Sequence, residues 1–163
     1  MADCNDLETL AAALLRAAAA RNLRIATAES CSGGLIASLL TDIEGLGHVF
    51  ERGFVTYSDE AKIEMLGVSR RLIESKGAVS AEVAAAMARG AISRSCADAA
   101  IAITGFAGPG GADDEEGLVH IAALCCGRSA AAELHIGAVG RSAVREAAAR
   151  AALAMTSDLI ARE

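Results

Sequence analysis

Residues 27–34, with the sequence TAESCSGG, constrain the fold more than any other segment of the chain. An alternating apolar run precedes them and a run with helical spacing follows, so the segment predicts a strand, a tight turn and a helix. The adjacent Gly33 and Gly34 would let the main chain approach a bound group, and the first N–H groups of the helix would point at it. With the hydroxyls of Ser30 and Ser32, such a turn can hold a phosphate or a developing oxyanion. The alternative is that one serine is simply a helix N-cap and the glycines form an ordinary turn.

The remaining chain alternates between helical and strand patterns. Helices are predicted over 5–20, 32–40, 59–65, 69–76, 80–93 and 142–161, and strands over 23–27, 49–57, 97–104, 118–126 and 130–136. The last two strands form a hairpin around residues 127–128. This order favours a single α/β domain over residues 1–163, a three-layer α/β/α sandwich whose mixed, mostly parallel sheet includes one antiparallel strand.

Ligands of such sheets bind beyond the carboxyl ends of the strands. Polar or glycine-rich turns follow three predicted strands, at 27–34, 57–62 and 104–111. We therefore expect these three turns to converge on one site.

Composition narrows the possible partners. The net charge is −6 without a basic block, and the chain has one tyrosine and no tryptophan, which argues against nucleic acid. No signal peptide is recognisable and no apolar run reaches about 18 residues, so a cytoplasmic protein without a membrane partner is expected. The five cysteines lack metal-ligand spacing and are expected to be reduced and mostly buried: Cys4, Cys31, Cys96, Cys125 and Cys126.

Four segments in a fixed order carry a family resemblance: 27–34, GFVTYSDEAK at 53–62, GAVS at 77–80 and TGFAGPGG at 104–111. Together they cover nearly the whole chain and resemble the CinA C-terminal domain family, the nicotinamide-nucleotide amidohydrolases also called PncC. Longer members of that family carry an additional N-terminal domain, so the resemblance implies the stand-alone form. Residues 115–118 depart from the family, which usually has Lys-Pro-Val-Gly there.

The resemblance implies hydrolysis of the carboxamide of nicotinamide mononucleotide, giving nicotinate mononucleotide and ammonia, without metal or cofactor. Lys62 and Tyr57 match the activating pair, and Ser30 is the third catalytic candidate. Substrate contacts are implied for Ser32, Gly33, Gly34, Thr104, Gly105, Arg141 and Arg145, with one of the two arginines on the phosphate. The partner would thus be a small nucleotide, and a homo-oligomer is expected from the alanine-rich helix faces and family habit.

Elementary chemistry agrees with this assignment, because an amide needs an activated nucleophile, a base and an oxyanion donor. A lysine shielded from water has a lowered pKa and can act as the base. The structural alternatives are that Lys62 only bonds Ser58 one turn earlier, that Tyr57 is an ordinary strand residue, and that Arg141 and Arg145 are surface charges.

One departure concerns the nucleophile. The family usually reads Gly-Ser-Ser shortly before the second strand, and its second serine is the expected nucleophile, but this chain has Gly47 there. Weak or absent turnover is therefore predicted. Three alternatives remain for how this chain acts without the family serine. Ser30 or Ser32 replaces the missing hydroxyl, a water activated by His48 or Lys62 attacks, or the domain binds nucleotide without catalysis.

Overall fold

The structure is a computed structural model that describes residues 6–162. Its elements in chain order are α1 (Leu7–Ala20), β1 (Ile25–Glu29), α2 (Leu35–Thr41), a 3-10 turn (Gly47–Val49), β2 (Phe50–Val55), α3 (Asp59–Leu66), α4 (Arg70–Lys76), α5 (Ala81–Ser93), β3 (Ala99–Gly105), β4 (Leu118–Cys125), β5 (Arg128–His135) and α6 (Arg141–Ala161). Every predicted helix and strand is present. The largest displacement is in α2, which begins at Leu35 rather than at residue 32, because Gly33 and Gly34 have φ of 64° and 97° and cannot continue a right-handed helix.

The five strands form one sheet in the order β2-β1-β3-β4-β5. β1 pairs in parallel with β2 and β3, whereas β4 runs antiparallel to both β3 and β5. Four strands therefore share one direction and β4 alone opposes them, which confirms the predicted mixed sheet with one antiparallel strand. The hairpin turn lies one residue earlier than predicted, at Cys126 and Gly127, so that Arg128 already belongs to β5.

Helices cover both faces of the sheet, which confirms the three layers. α1, α2 and α6 pack on one face against alternate strand residues such as Ile25, Ile101 and Ile103. α3, α4 and α5 pack on the other face, where β1 and β3 present Ala26, Ala28, Ala100 and Ala102. Small side chains on this second face let α5 lie close to the sheet.

A glycine also brings α5 against α3. A Cβ at Gly90 of α5 would overlap the carbonyl oxygen of Leu66, the last residue of α3. The two helices therefore meet main chain to main chain, and the position of α3 is fixed by this contact.

Local signals in the sequence set the limits of α3. The Ser58 hydroxyl accepts a hydrogen bond from the Ala61 N–H at 3.1 Å, and Gly67 ends the helix with φ of 69°. Lys62 Nζ contacts Ser30 Oγ and the Thr56 carbonyl rather than the Ser58 hydroxyl, so the interpretation that Lys62 merely bonds Ser58 is wrong. The Lys62 side chain instead extends inward to the end of the sheet, where its ammonium contacts Ser30.

The predicted burial of the cysteines holds for Cys31 and Cys125 but is wrong for Cys96 and Cys126. Both exposed cysteines lie in turns at the surface, and Cys4 lies outside the described residues. The four described cysteines are unpaired. Within residues 6–162 there is no helix of the length and apolarity needed to cross a bilayer, and no group of three or more potential metal-ligating side chains.

Candidate active site

The turns that follow β1, β2 and β3 lie together at one end of the sheet. They line a cavity of about 250 Å³, to which they contribute Ser30, Tyr57 and Thr104, with Lys62 of α3 closing one side. The parallel pairing of these strands places their carboxyl ends side by side, so residues far apart in sequence meet at this edge.

Ser30 and Lys62 form the centre of the cavity. Lys62 Nζ lies 3.1 Å from Ser30 Oγ and donates to the main-chain oxygen of Thr56 at 3.2 Å. The lysine is 2% exposed, and Asp59 is the nearest carboxylate, 4.0 Å from Nζ and half exposed. Burial lowers the Lys62 pKa, and the Asp59 charge partly opposes that effect. Burial therefore favours the neutral amine relative to an exposed lysine, and in that form the amine can accept the Ser30 hydroxyl proton.

The backbone holds Ser30 firmly in the turn. Its N–H donates to the Ile103 carbonyl at 3.0 Å, which continues the β1–β3 pairing by one residue. The Gly33 N–H then donates to the Ser30 carbonyl at 3.1 Å and closes the turn. A nucleophile needs such fixed placement, because misplacement by a fraction of an ångström costs rate.

The first turn of α2 does not face the cavity as the sequence predicted. The carboxylate of Glu29, which is 1% exposed, accepts the N–H groups of Ile36 at 3.0 Å and Ala37 at 2.8 Å. These are the positions that an N-cap side chain usually satisfies, and the N-cap here is Gly34, which has none. The expectation that free helix N–H groups point at a ligand is thus wrong for these two donors, and so is the alternative that Ser30 or Ser32 caps the helix.

A second cavity of about 580 Å³ adjoins the first. Ser32, Gly33 and Gly34 line it from the turn, and Arg141 and Arg145 line it from α6. The Ser32 hydroxyl is buried and has no hydrogen-bond partner among residues 6–162. This cavity combines a polar turn with two guanidinium groups, which suits an anion.

The two predicted arginines occupy different places. The Nε of Arg145 donates to the Cys31 carbonyl at 2.8 Å, so this side chain is tied to the turn. Arg141 lines both cavities, and its guanidinium lies against Gly108, where a Cβ would come within 2.8 Å of Arg141 Cζ. Arg141 thus stands between the cavities and Arg145 braces the second one.

Thr104 and Gly105 also lie at the first cavity. The Thr104 hydroxyl donates to the Ala78 carbonyl at 2.8 Å and so fastens the loop between α4 and α5 to the end of β3. Tyr57 stands at the mouth with 63% of its surface exposed. Within the described chain its hydroxyl makes no hydrogen bond to Ser30 or Lys62, so the structure does not join the predicted activating pair.

Gly47 and His48 are exposed and do not line either cavity. The structure therefore does not bring the position of the family serine to Lys62 within one copy of the chain. Cys31 lines the first cavity, but burial raises its pKa to about 11, so the thiol is neutral and packs rather than acting as a nucleophile.

Sequence reasoning missed two carboxylates at this end of the sheet. Asp59 precedes Lys62 by three residues on α3, a spacing that places both on one helix face and could have drawn attention to it. Glu29 directly precedes Ser30, and its role as a remote helix cap has no established sequence signal.

These features define a class: three-layer α/β/α domains with a serine–lysine pair in a cavity at the carboxyl ends of parallel strands. The chain belongs to the CinA C-terminal domain family, whose sequence profile matches residues 7–160.

Individual relatives agree with this membership. A putative competence-damage inducible protein of Symbiobacterium thermophilum is 45% identical over 161 residues, which cover 93% of this chain and 38% of that protein. A CinA-like protein of Akkermansia muciniphila is 46% identical over 147 residues, which cover 89% of this chain and 36% of that protein. The chain thus spans little more than a third of the length of these curated relatives.

Solved structures are similar over nearly their full length. The competence/damage inducible protein CihA of Agrobacterium tumefaciens has a TM-score of 0.91 at 45% identity, with 94% of each chain covered. A competence-damaged protein (CinA) superfamily protein of Escherichia coli has a TM-score of 0.90 at 42% identity, with 98% of this chain and 92% of that chain covered.

Proposed function

We propose that this protein hydrolyses the carboxamide of nicotinamide mononucleotide, with Ser30 as the nucleophile and Lys62 as the base. The observation that carries the proposal is the 3.1 Å contact between Ser30 Oγ and a lysine amine that is 2% exposed. A buried amine next to a hydroxyl can act as a general base beside a nucleophile, and acyl transfer requires this arrangement. This contact favours the first of the three alternatives, in which a hydroxyl other than that of the family serine attacks.

In the proposed reaction, Lys62 accepts the Ser30 proton while Ser30 Oγ attacks the carboxamide carbon. The resulting tetrahedral oxyanion would form beside the loop that follows β3, where Ala107, Gly108 and Gly110 line the cavity and their main-chain N–H groups are candidate donors. The Phe106 N–H is not available, because it donates to the Leu118 carbonyl at 2.9 Å. Lys62 then returns the proton to the amide nitrogen, the C–N bond breaks and ammonia leaves an ester on Ser30. A water molecule then gives a proton to Lys62 and attacks the ester carbon, and Lys62 returns that proton to Ser30 Oγ as the C–O bond breaks. The acid that is released ionises to the carboxylate, and Ser30 and Lys62 regain their starting states.

The nucleotide would span the two cavities. We place the nicotinamide beside Ser30 in the first cavity and the phosphate in the second, where Arg141 and Arg145 supply positive charge. The buried, unpartnered Ser32 hydroxyl would donate to the same phosphate. Arg141 lines both cavities, so it would contact the substrate between its two ends.

The test is an ammonia-release assay with nicotinamide mononucleotide on the wild type and on Ser30→Ala and Lys62→Ala. Removing the base is expected to lower kcat by about 10² to 10⁴. The only other lysine, Lys76, forms an exposed ion pair with Glu82 at 3.2 Å, so Lys76→Ala is a matched control that should keep wild-type turnover.

Calorimetry on the same proteins separates catalysis from binding. Ser30→Ala is expected to retain nucleotide affinity while losing turnover. If the wild type binds the nucleotide but releases no ammonia, the protein is a non-catalytic nucleotide-binding domain and the proposed hydrolysis is wrong. If turnover survives Lys62→Ala, the assignment of the base is wrong.

A further inference from the structure

The turn between β4 and β5 has an unusual residue in a costly position. Its two residues, Cys126 and Gly127, have φ of 49° and 81°, and the two-residue hairpin with both φ positive is the type I′ turn. Asn, Asp or Gly normally occupies the first position, because other side chains are strained there. Among residues 6–162, Cys126 and Asn22 are the only non-glycine residues with positive φ. A cysteine is therefore held where the turn itself would favour another residue.

The left-handed backbone brings two sulfurs together. Adjacent residues of a strand point to opposite faces, yet Cys125 Sγ and Cys126 Sγ are 3.7 Å apart. Cys125 is buried and Cys126 is exposed, so the pair is open to solvent on one side.

A hollow of about 340 Å³ lies beside the pair, lined mainly by apolar groups that include Ile92, Ala97 and Leu124. It is remote from the candidate active site, because Cys125 pairs with Ala99 at the start of β3, whereas the active site lies at the end of that strand.

Geometry distinguishes what such a pair can hold. The Cα atoms of adjacent residues are about 3.8 Å apart, below the 4.4–6.8 Å that disulfides usually span, so a disulfide here would be strained. A single atom with bonds of about 2.3 Å to each sulfur can bridge two sulfurs that lie less than about 4.6 Å apart, and the 3.7 Å separation found here is within that limit. Zinc would need further ligands, and residues 6–162 contain no group of three ligating side chains.

An atom that forms three bonds, two to sulfur and one to an organic substituent, fits these constraints. We propose that Cys125 and Cys126 form a second binding site, which captures a monosubstituted trivalent arsenical and places its apolar substituent in the adjacent hollow. Two As–S bonds replace two As–OH bonds, each thiol proton leaves with a hydroxyl as water, and arsenic remains trivalent.

Phenylarsine oxide is the probe, applied to the phosphine-reduced chain of residues 1–163 and followed by intact mass spectrometry. One phenylarsenic group should replace two hydrogens, and the adduct should survive excess monothiol but be removed by a dithiol. Cys126→Asn removes the thiol while supplying the residue that type I′ turns prefer, so the fold is kept. The loss of the second thiol should weaken capture by about 10² to 10⁴, the usual gain from bivalency.

The matched control is the Cys4→Ser, Cys96→Ser double variant, which keeps the pair and should bind as the wild type does. Cys126→Gly is the second turn-compatible variant and should behave like Cys126→Asn. Capture that is unchanged in both Cys126 variants, lost in the double variant, or reversed by monothiol would overturn the proposed site.

Discussion

Replacing Glu29 by alanine should destabilise the protein and disable the nucleophile beside it. The buried carboxylate accepts two N–H groups of α2, at 3.0 Å and 2.8 Å, and its removal leaves both donors without a partner. An orphaned buried donor costs about 1–3 kcal/mol, and only the Ile36 hydrogen bond is fully buried while the Ala37 bond is part-buried. The free energy of unfolding should therefore fall by about 1–4 kcal/mol. Because Ser30 is the next residue, we also expect kcat to fall more than KM rises.

Urea denaturation measures the stability change and the ammonia assay measures the kinetic one. Glu8, an exposed glutamate in the first turn of α1, provides the matched control, and Glu8→Ala should change stability by less than about 0.5 kcal/mol. Should Glu29→Ala cost less than about 1 kcal/mol, water or another group satisfies the two donors and the remote-cap explanation fails. Large destabilisation with unchanged kcat would show that the cap serves the fold alone.

Three further substitutions test separate parts of the structure. Asp59→Asn removes a charge that favours the Lys62 ammonium, so the Lys62 pKa should fall further and the rise of kcat with pH should move to lower pH; movement to higher pH contradicts this role. Gly47→Ser should leave turnover unchanged, since a Cβ there meets no atom within 4 Å, and a marked gain would show that the family's serine position still matters. Cys126→Asn should raise the free energy of unfolding by roughly 0.5–1 kcal/mol in thermal or urea melts by relieving the turn, and a loss of stability would contradict the assigned strain.

Much of the fold is predictable because its signals are local. Ser58, Ser69 and Ser80 stand at the N-caps of α3, α4 and α5, and Gly67 and Gly77 end the first two, so these helices could be delimited from sequence alone.

The predicted element boundaries are wrong where residues distant in sequence, or an unusual residue, determine the local structure. The start of α2 was predicted too early because its cap is Glu29, which acts across the turn from the preceding strand. The hairpin was misplaced by one residue because Cys126 is not a usual turn residue.

The candidate site was only partly predictable for the same reason. The hydroxyls and the lysine could be named from their motifs, but Ser30 and Lys62 are separated by 32 residues and meet only through the parallel pairing of β1 and β2. Tyr57 was expected to act with Lys62 because both belong to one motif, yet the strand end turns its ring to the cavity mouth. Spacing along the chain does not show which side chain of a helix or of a strand end points into the cavity.

The contact between Gly90 and the Leu66 carbonyl extends the proposed catalytic apparatus to a buried residue that lines neither cavity. Lys62 lies one helical turn before Leu66, so the helix that α5 contacts at that point is the helix that positions the proposed base. Substitution of Gly90 is therefore expected to impair activity, as substitution of Ser30 or Lys62 is, whereas substitution of most other buried residues should affect stability alone. A larger residue at position 90 would require α3 to move relative to α5, and the distance between Ser30 Oγ and Lys62 Nζ should change with it.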